Sequence, residues 1–277
     1  YKFQKCFDVA LKLVEEGGQL IKARLWAPKT ISTKTSAKDF VTETDQEIED
    51  LIIKGISCSL LDEYNFQFIG EETASKEQKP LALTDEPTWI IDPVDGTLNF
   101  VHGNPHVAVS VGFYNNKEPE FGIVYMPLFD MMFTGIKGRG AKLNDREIKV
   151  SNVKELQDAL LCGECSHENF VKYEEYAVKN YRTVHPLVHG IRTYGTAAYG
   201  MTTVGLGAND AYFEFGPHVW DIAAANVIVT EAGGVVKDTA GGPVDIMSRR
   251  FLAASTTELA EELVKNIQQY TLPRDDE

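Results

Sequence analysis

The twelve residues WIIDPVDGTLNF, at positions 89–100, constrain the fold of this chain more than any other stretch. Their apolar start predicts a buried strand that ends at Asp92, and open sheets commonly bind ligands at the carboxyl ends of their strands. Pro93 is expected to end the strand and stiffen the turn, because proline has no backbone N–H to donate. Asp92 and Asp95 then lie three positions apart around one turn, close enough to hold two cations that share a carboxylate oxygen.

Two small residues, Gly96 and Thr97, follow this acidic turn. Their backbone N–H groups can point outward at a helix N-terminus and bind a phosphate. A D-P-x-D-G-T string fixes five residues, and at average usage of about 5% each it arises by chance in roughly one chain in ten thousand. The plainer alternative is a turn in which Asp95 only caps a helix. That alternative explains the glycine and the threonine but not two rigidly held acids.

Further acids lie at the ends of other predicted elements. Glu71 and Glu72 directly follow the predicted strand FQFIG at 66–70, and Asp221 stands at the start of the apolar helix IAAANVIV. Each has an ordinary explanation when taken alone, namely a surface turn for the glutamates and an N-cap for Asp221. Together with the aspartate pair, these acids predict a site for hard divalent cations.

Mg²⁺ fits such a site because it binds through a few carboxylates together with waters and substrate phosphate. Two such ions about 3.5 to 4 Å apart can hold a phosphoryl group during the hydrolysis of a phosphate ester. A glycosidase with paired carboxylates is the rival hypothesis from the acids alone. It needs one acid kept protonated in an apolar site, and it gives the glycine and threonine no role.

Apolar periodicity predicts a mixed α/β chain in two halves that join near residues 145–155. The first half has amphipathic helices over 3–26 and after Thr44, and then short strands. The absence of a helix pattern between 106 and 136 favours an antiparallel meander. The second half alternates strands and helices, and the last residues, PRDDE, are expected to fray. The predicted elements of the second half are strands at 159–165, 186–192 and 211–215, helices near 168–181, 195–207 and from 221, strands VVKD and FLAAS, and a helix over 256–270.

Charge and composition argue against a nucleic-acid-binding protein, a membrane protein and a zinc protein. Acidic residues outnumber basic ones by 41 to 27, and the net charge of −14 opposes binding to nucleic acid phosphates. The sequence has neither an apolar run long enough for a membrane span nor a signal-peptide pattern, so we expect a cytoplasmic protein. Cys162 and Cys165 form a C-x-x-C, but one such pair cannot complete a tetrahedral zinc site. The length suits one large domain or two small ones.

In these motifs the chain resembles the inositol monophosphatases, within the lithium-sensitive phosphatase superfamily. The stretches that carry the resemblance are WIIDPVDGTLNF, GEE at 70–72, HVWDIAAANVIVTEAGG at 218–234, KTSAKDFVTETD at 34–45, GRGAKLN at 138–144, RTYGTAA at 192–198 and DIMSRR at 245–250. The resemblance implies an α/β fold of the α+β type, a layered αβαβα sandwich of alternating helix pairs and mixed sheets. It also implies a single domain over 1–277, with halves of about 1–150 and 151–277, that forms a homodimer.

The resemblance further implies where the metals bind. The first ion would lie on Glu71, Asp92 and the backbone carbonyl of Val94, and the second on Asp92, Asp95 and Asp221. A third, weaker ion is expected near Glu71. Val94 replaces a commoner isoleucine of the family, which matters little because only its carbonyl is used.

The remaining site residues follow from the same resemblance. Glu71 and Thr97 would hold the attacking water, with Asp45 as the partner of the Thr97 hydroxyl. The N–H groups of Gly96 and Thr97 would hold the phosphate, and Lys34 would offset the charge of the acids. The polyol side of the site would be lined by Asp95, Gly195, Thr196, Ala197, Glu214 and Asp221.

The expected function is hydrolysis of inositol monophosphate to inositol and phosphate by a Mg²⁺-activated water, with two to three ions and inhibition by Li⁺. Fructose bisphosphatase, sugar phosphatase or 3′-phosphonucleotidase activity is the alternative within the same chemistry. A noncatalytic cation-binding protein is the alternative from another class. Glu214 favours the first function, because a carboxylate there can bond the hydroxyls of a polyol but would repel a second phosphate.

Overall fold

The computed structural model of the protein describes residues 1–29, 31–33, 40–60, 64–77, 80–164 and 170–277. The helices of this described part are α1 (Gln4–Arg24), α2 (Glu43–Leu60), α3 (Glu71–Glu77), α4 (Thr97–Val101), α5 (Phe170–Val184), α6 (Ala197–Gly205), α7 (Val219–Glu231) and α8 (Thr257–Asn266). Its strands are β1 (Ile31–Thr33), β2 (Phe40–Thr42), β3 (Gln67–Gly70), β4 (Thr88–Asp95), β5 (Ala108–Asn115), β6 (Glu118–Met126), β7 (Met131–Ile136), β8 (Gly140–Leu143), β9 (Arg146–Ile148), β10 (Leu160–Gly163), β11 (Gly190–Arg192), β12 (Ala211–Phe215), β13 (Val235–Lys237) and β14 (Arg250–Ala254).

The elements stack in five layers. Helices α1 and α2 pack on one face of a seven-stranded sheet, and α7 packs on its other face. Helix α6 lies beside α7 and contacts a second, five-stranded sheet, whose far side is covered by α5 and α8. The predicted αβαβα sandwich of mixed sheets is therefore confirmed.

The larger sheet runs in the order β3-β4-β5-β6-β7-β8-β9. Strands β3 and β4 are parallel, and every later neighbour is antiparallel. The meander predicted for the chain between 106 and 136 is confirmed. The smaller sheet has the order β11-β10-β12-β14-β13, in which β10 is parallel to both of its neighbours.

Helix α7 is apolar on all sides because it is enclosed between the two sheets. Three glycines make room for it on the larger sheet. Gly112 pairs with Gly122 across β5 and β6, and Gly122 pairs with Gly135 across β6 and β7. A Cβ at Gly122 would lie 2.2 Å from the carbonyl oxygen of Ala224, so the helix backbone approaches the sheet directly.

Several sequence expectations need correction. The segment predicted as a strand over 186–192 forms a paired strand only at Gly190–Arg192, because Pro186 lies in a 3₁₀ turn at His185–Leu187. The last helix ends at Asn266, four residues earlier than predicted. Asp275, which was expected to fray, is buried. Its carboxylate meets the start of α7, as described below.

No helix in the described ranges is long and apolar enough to cross a membrane.

Candidate active site

Glu71, which directly follows β3, and Asp92, in the second half of the parallel strand β4, lie side by side. Gly70, the last residue of β3, pairs with Ile91 of β4, so the next residue of each strand is an acid. Neighbouring strands lie about 4.8 Å apart, which brings the two side chains together. Burial, and after it the charge of Glu71, raises the pKa of Asp92.

Strand β4 does not end at Pro93, contrary to the sequence expectation. Asp92 pairs with Ser110 and Asp95 pairs with Ala108, so the ladder with β5 is interrupted by an irregular register and then resumes. The missing N–H of Pro93 falls inside this irregularity, where it costs no hydrogen bond. The carboxylate of Asp92 accepts a hydrogen bond of 3.0 Å from the Val94 N–H. The Asp92 carboxylate is thus held by the turn that follows it.

Asp221 reaches the same place from α7. It is not the N-cap considered from the sequence, because His218 caps the helix and Asp221 is its third residue. The Asp221 carboxylate accepts the His218 N–H at 2.6 Å, which completes a capping box. The negative charge also lies at the favourable end of the helix dipole.

Asp92, Asp95 and Asp221 form one cluster, with one carboxylate oxygen from each within 4.8 Å of the others. Burial first, and then the charges of neighbouring acids, raise the pKa of Asp92 and of Asp95 well above the ordinary aspartate value. The pKa of Asp221 is raised to about 6, again mainly by burial, although His218 lowers it. Asp92 and Asp95 are buried and Asp221 is half-buried, and three such acids that repel one another are stable together when protons or cations neutralise them.

The donor set of this cluster fits a hard divalent cation. All three side chains offer carboxylate oxygens, which Mg²⁺ and Ca²⁺ prefer, and the cluster includes neither a histidine nor a thiolate that would favour zinc. Glu71 adds a fourth carboxylate beside Asp92, and the Val94 carbonyl lies between Asp92 and Asp95 in the chain.

Gly96 and Thr97 form the turn between the acids and α4. Gly96 has φ +89°, in the left-handed region that favours glycine, and a Cβ there would lie 2.7 Å from Thr196 Cγ2 and 2.9 Å from the His106 carbonyl oxygen. The Thr97 hydroxyl lies 3.2 Å from the Asp45 carboxylate and 3.0 Å from the Val94 carbonyl oxygen. The Thr97 hydroxyl therefore lies between two acceptor oxygens and donates its proton to one of them.

Asp45 itself is completely buried near the start of α2. One of its carboxylate oxygens accepts the Thr42 N–H at 3.0 Å and also the Thr42 hydroxyl. The other oxygen is the one that faces Thr97. Asp45 is thus fixed by α2 and β2 in a position that determines how the Thr97 hydroxyl points.

The segment from Gly195 to Ala197 packs against the acidic turn from the other half of the chain. Asp95 accepts the N–H groups of Ala197 and Ala198 at 3.2 and 2.8 Å, so it binds the first turn of α6. Thr196 is buried, and its methyl group lies where a side chain at Gly96 would have to go. These contacts bring the two halves of the chain together at the cluster.

Glu214 lies on β12, buried and hydrogen-bonded to the Tyr212 hydroxyl. Burial, followed by the charge of Glu164 and of the acidic cluster, raises the pKa of Glu214. The structure therefore places every predicted site residue except Lys34 around one centre. Lys34 lies outside the described residues, as does Cys165.

Sequence reasoning missed two acids next to this site. Glu164 follows the apolar strand β10 just as Glu71 follows β3, and that shared pattern was a usable signal. Asp275 lies far along the chain, where nothing local marks it. Its carboxylate contacts His218 Nδ1 at 2.6 Å and accepts the Val219 N–H at 2.8 Å, and so supports the start of α7.

Comparisons with known proteins agree with this geometry. A sequence model described as the inositol monophosphatase family matches residues 3–272. Inositol monophosphatase 1 of Bos taurus is 46% identical over 277 residues, which covers 99% of this chain and 98% of the relative. The solved structure of a Thermotoga maritima IMPase has a TM-score of 0.82 and 30% identity, and the match covers 94% of this chain and 95% of that one.

A third similar protein was solved with ligands. Inositol monophosphatase II of Staphylococcus aureus, in a structure with bound inositol monophosphate, has a TM-score of 0.76 and 25% identity, over 94% of this chain and 92% of its own. The same protein was also solved with bound 2′AMP. On the match over residues 3–272 and the high identity along nearly its whole length, the chain belongs to the inositol monophosphatase family.

Proposed function

We propose that this protein hydrolyses inositol monophosphate to inositol and phosphate at the carboxylate cluster, with divalent cations as cofactors. Membership of the family makes it a phosphoric monoester hydrolase. The observation that carries the proposal is the cluster of Asp92, Asp95 and Asp221, with Glu71 beside it and the Gly96–Thr97 turn at its edge. A cluster that only bound cations would have no need for the adjoining Thr97–Asp45 hydrogen bond.

The acids divide into two ligand sets in this proposal. Glu71, Asp92 and the Val94 carbonyl would hold one ion, and Asp92, Asp95 and Asp221 would hold a second. A third, weaker ion would lie near Glu71. When bound, such cations neutralise phosphate charge and lower the pKa of a water to a value useful near neutral pH.

Thr97 and Glu71 would orient the attacking water. Because Asp45 and the Val94 carbonyl are both acceptors, the Thr97 O–H donates to one of them and keeps its own lone pairs for a proton of the water. The Glu71 carboxylate would accept the other proton as the water attacks phosphorus. The N–H groups of Gly96 and Thr97 would bind phosphate oxygens, and Lys34 would offset part of the acidic charge.

The polyol side of the site would be formed by residues from both halves of the chain. Its polar groups are two aspartates of the cluster, Glu214 and the start of α6, and they match the hydroxyls of a cyclic polyol better than a second phosphate. The residues proposed to line it are Asp95, Gly195, Thr196, Ala197, Glu214 and Asp221. Because a structural relative was solved with bound 2′AMP, a nucleotide monophosphate is the second candidate substrate.

Further properties belong to the same proposal. The ions would be Mg²⁺, which suits an all-oxygen ligand set, and Li⁺ would inhibit. The chain would act as one domain and as a homodimer, in keeping with exposed apolar side chains such as Trp26 at 74% and Phe129 at 42%. It would act in the cytoplasm, and its net charge of −14 speaks against nucleic acid as a partner.

Phosphate release from myo-inositol 1-phosphate, measured with Mg²⁺ and with a chelator, tests the proposal. We expect turnover only with Mg²⁺, and a strong loss of kcat in Thr97→Ala with little change in Mg²⁺ binding. Thr84→Ala is the matched control, because Thr84 is exposed and precedes the start of β4, whereas the acids lie toward the end of that strand. Wild-type protein that binds Mg²⁺ but releases no phosphate from inositol, sugar or nucleotide monophosphates would contradict the proposal.

A further inference from the structure

Glu164 and Glu214 are neighbours at the carboxyl ends of two parallel strands. Gly163, the last residue of β10, pairs with Phe213 of β12, and the residue that follows each of them is a glutamate. This repeats, in the smaller sheet, the arrangement of Glu71 and Asp92 in the larger one. Paired residues of parallel strands project to the same side, so the two carboxyl groups lie close together.

Glu164 also holds the backbone that leads into α6. One oxygen of its carboxylate accepts the N–H groups of Tyr194 and Gly195 at 2.6 and 3.0 Å. On the opposite side of this segment, the Asn99 side chain donates to the carbonyl oxygens of Tyr194 and Gly195 at 2.8 and 3.2 Å. The amides that follow donate to Asp95, so Glu164 helps to place the polyol side against the acidic cluster.

The second oxygen of the Glu164 carboxylate, Oε2, is buried and has no hydrogen-bond partner among the described residues. A buried carboxylate oxygen without a donor is costly, and a ligand hydroxyl or a water would satisfy it. The Thr196 hydroxyl, in the same segment of the site, is likewise buried without a partner there. These two unsatisfied polar atoms, one beside Glu214 and one against Gly96, indicate a subsite for hydroxyl groups.

The electrostatics of the pair agree with this geometry. Burial raises the pKa of Glu164 to about 7, although its two backbone hydrogen bonds lower it. Burial, and after it the charge of Glu164, raises the pKa of Glu214. Because both pKa values are raised, the pair carries fewer than two negative charges near neutral pH, and the charge that remains accepts substrate hydroxyls and repels a second phosphate on the substrate.

We propose that Glu164 is a specificity-determining residue, which holds the Tyr194–Gly195 segment and stands beside Glu214 as a second acidic group facing the polyol. The site therefore accepts a monophosphate with free hydroxyls and rejects a substrate that carries a second phosphate. This inference rests on the proposed function, since it assigns a role within the same site.

The test compares two substrates, myo-inositol 1-phosphate and inositol 1,4-bisphosphate, in two variants. Glu164→Gln keeps an oxygen that can accept the two N–H groups but removes the charge. We expect KM for the monophosphate to rise. We also expect kcat/KM for the bisphosphate, divided by kcat/KM for the monophosphate, to rise about tenfold. Glu164→Ala also releases the segment, so kcat/KM for the monophosphate falls further than in Glu164→Gln. Asn99→Ala, which loosens the segment without changing charge, should lower kcat/KM for both substrates in parallel.

Glu231→Gln is the matched control. Glu231 also accepts two backbone N–H groups, from Gly138 and Gly140 at 2.9 Å each, but it lies at the opposite end of α7 from Asp221. We expect its substrate ratio to match the wild type. If Glu164→Gln leaves the substrate ratio unchanged, or lowers kcat/KM equally for both substrates as Asn99→Ala does, Glu164 is only structural and the inference is wrong. A wild type that hydrolyses neither substrate would instead overturn the proposed function and this inference with it.

Discussion

Replacing Gly122 with alanine tests how closely the site depends on the packing of α7. A Cβ at this position would lie 2.2 Å from the carbonyl oxygen of Ala224 and 2.8 Å from its Cα. Because both are backbone atoms of a buried helix, no side-chain rotation can relieve the overlap. Either α7 or β6 must move by roughly 1 Å, which a densely packed interior resists.

The expected cost has two parts. Overpacking a core typically costs about 1–3 kcal/mol, and a backbone overlap belongs at the upper end of that range. For a chain of this size, about 3 kcal/mol lowers Tm by roughly 6–12 °C. Asp221 lies on the same helix, one turn before Ala224, so its carboxylate moves with the helix. Misplacement by about 1 Å can reduce turnover by about 100-fold.

Thermal denaturation and phosphate release, both measured on Gly122→Ala, provide the assay. Activity is compared at a temperature where the variant remains folded by circular dichroism. Gly242→Ala is the control, because a Cβ there meets nothing within 4 Å, and its stability should lie within about 1 kcal/mol of wild type. A Gly122→Ala variant with wild-type Tm and wild-type kcat/KM would refute the packing argument.

Two further predictions concern Asp275 and Asp221. Asp275→Asn weakens the support of α7 at His218, so we expect a loss of about 1.5–3 kcal/mol in unfolding free energy and a lower kcat. The control is Asp276→Asn, which removes an exposed ion pair with Arg274 and should cost less than about 1 kcal/mol. Equal effects of the two variants would contradict this prediction. The second prediction concerns pH. Burial raises the pKa of Asp221 from 3.8 to about 6, so the folded protein favours the protonated carboxyl. The stability that this protonated group contributes is therefore lost as pH rises from about 4 to about 6. Denaturation of chelator-treated protein should therefore show unfolding free energy that falls with rising pH. We expect Mg²⁺ to abolish this fall and Asp221→Asn to reduce it. A pH profile in Asp221→Asn that equals the wild-type profile would count against the prediction.

The local part of the site could be predicted from the sequence, because it depends on residues that are close along the chain. Asp92, Asp95, Gly96 and Thr97 occupy one turn, and their chemistry is visible in a single motif. The strand that delivers them was also predicted, but its continuation to Asp95 was not. A proline usually ends a ladder, and only the pairing with β5 shows that the irregular register absorbs it.

The distant part of the site depends on strand pairing and helix docking, which no local pattern specifies. Asp221 was a candidate from its place at the start of an apolar helix, whereas Glu214 entered the predicted site only through the family resemblance. Glu164 was missed because its role follows from the register of β10 with β12. Asp275 was assigned to a frayed end because charged terminal residues usually are. Its burial depends on the start of α7, which provides a histidine ring and a backbone N–H for its carboxylate.

The most direct test of the central claim is phosphate release from myo-inositol 1-phosphate by wild type and Asp92→Asn across a Mg²⁺ titration. Asp92 is the carboxylate proposed to belong to both ligand sets, because it neighbours Glu71 and also belongs to the cluster with Asp95 and Asp221. The account predicts Mg²⁺-dependent turnover in the wild type and none above background in Asp92→Asn at any Mg²⁺ concentration, with the variant still folded. Near-normal kcat in Asp92→Asn, or wild-type turnover that survives chelation, would contradict it.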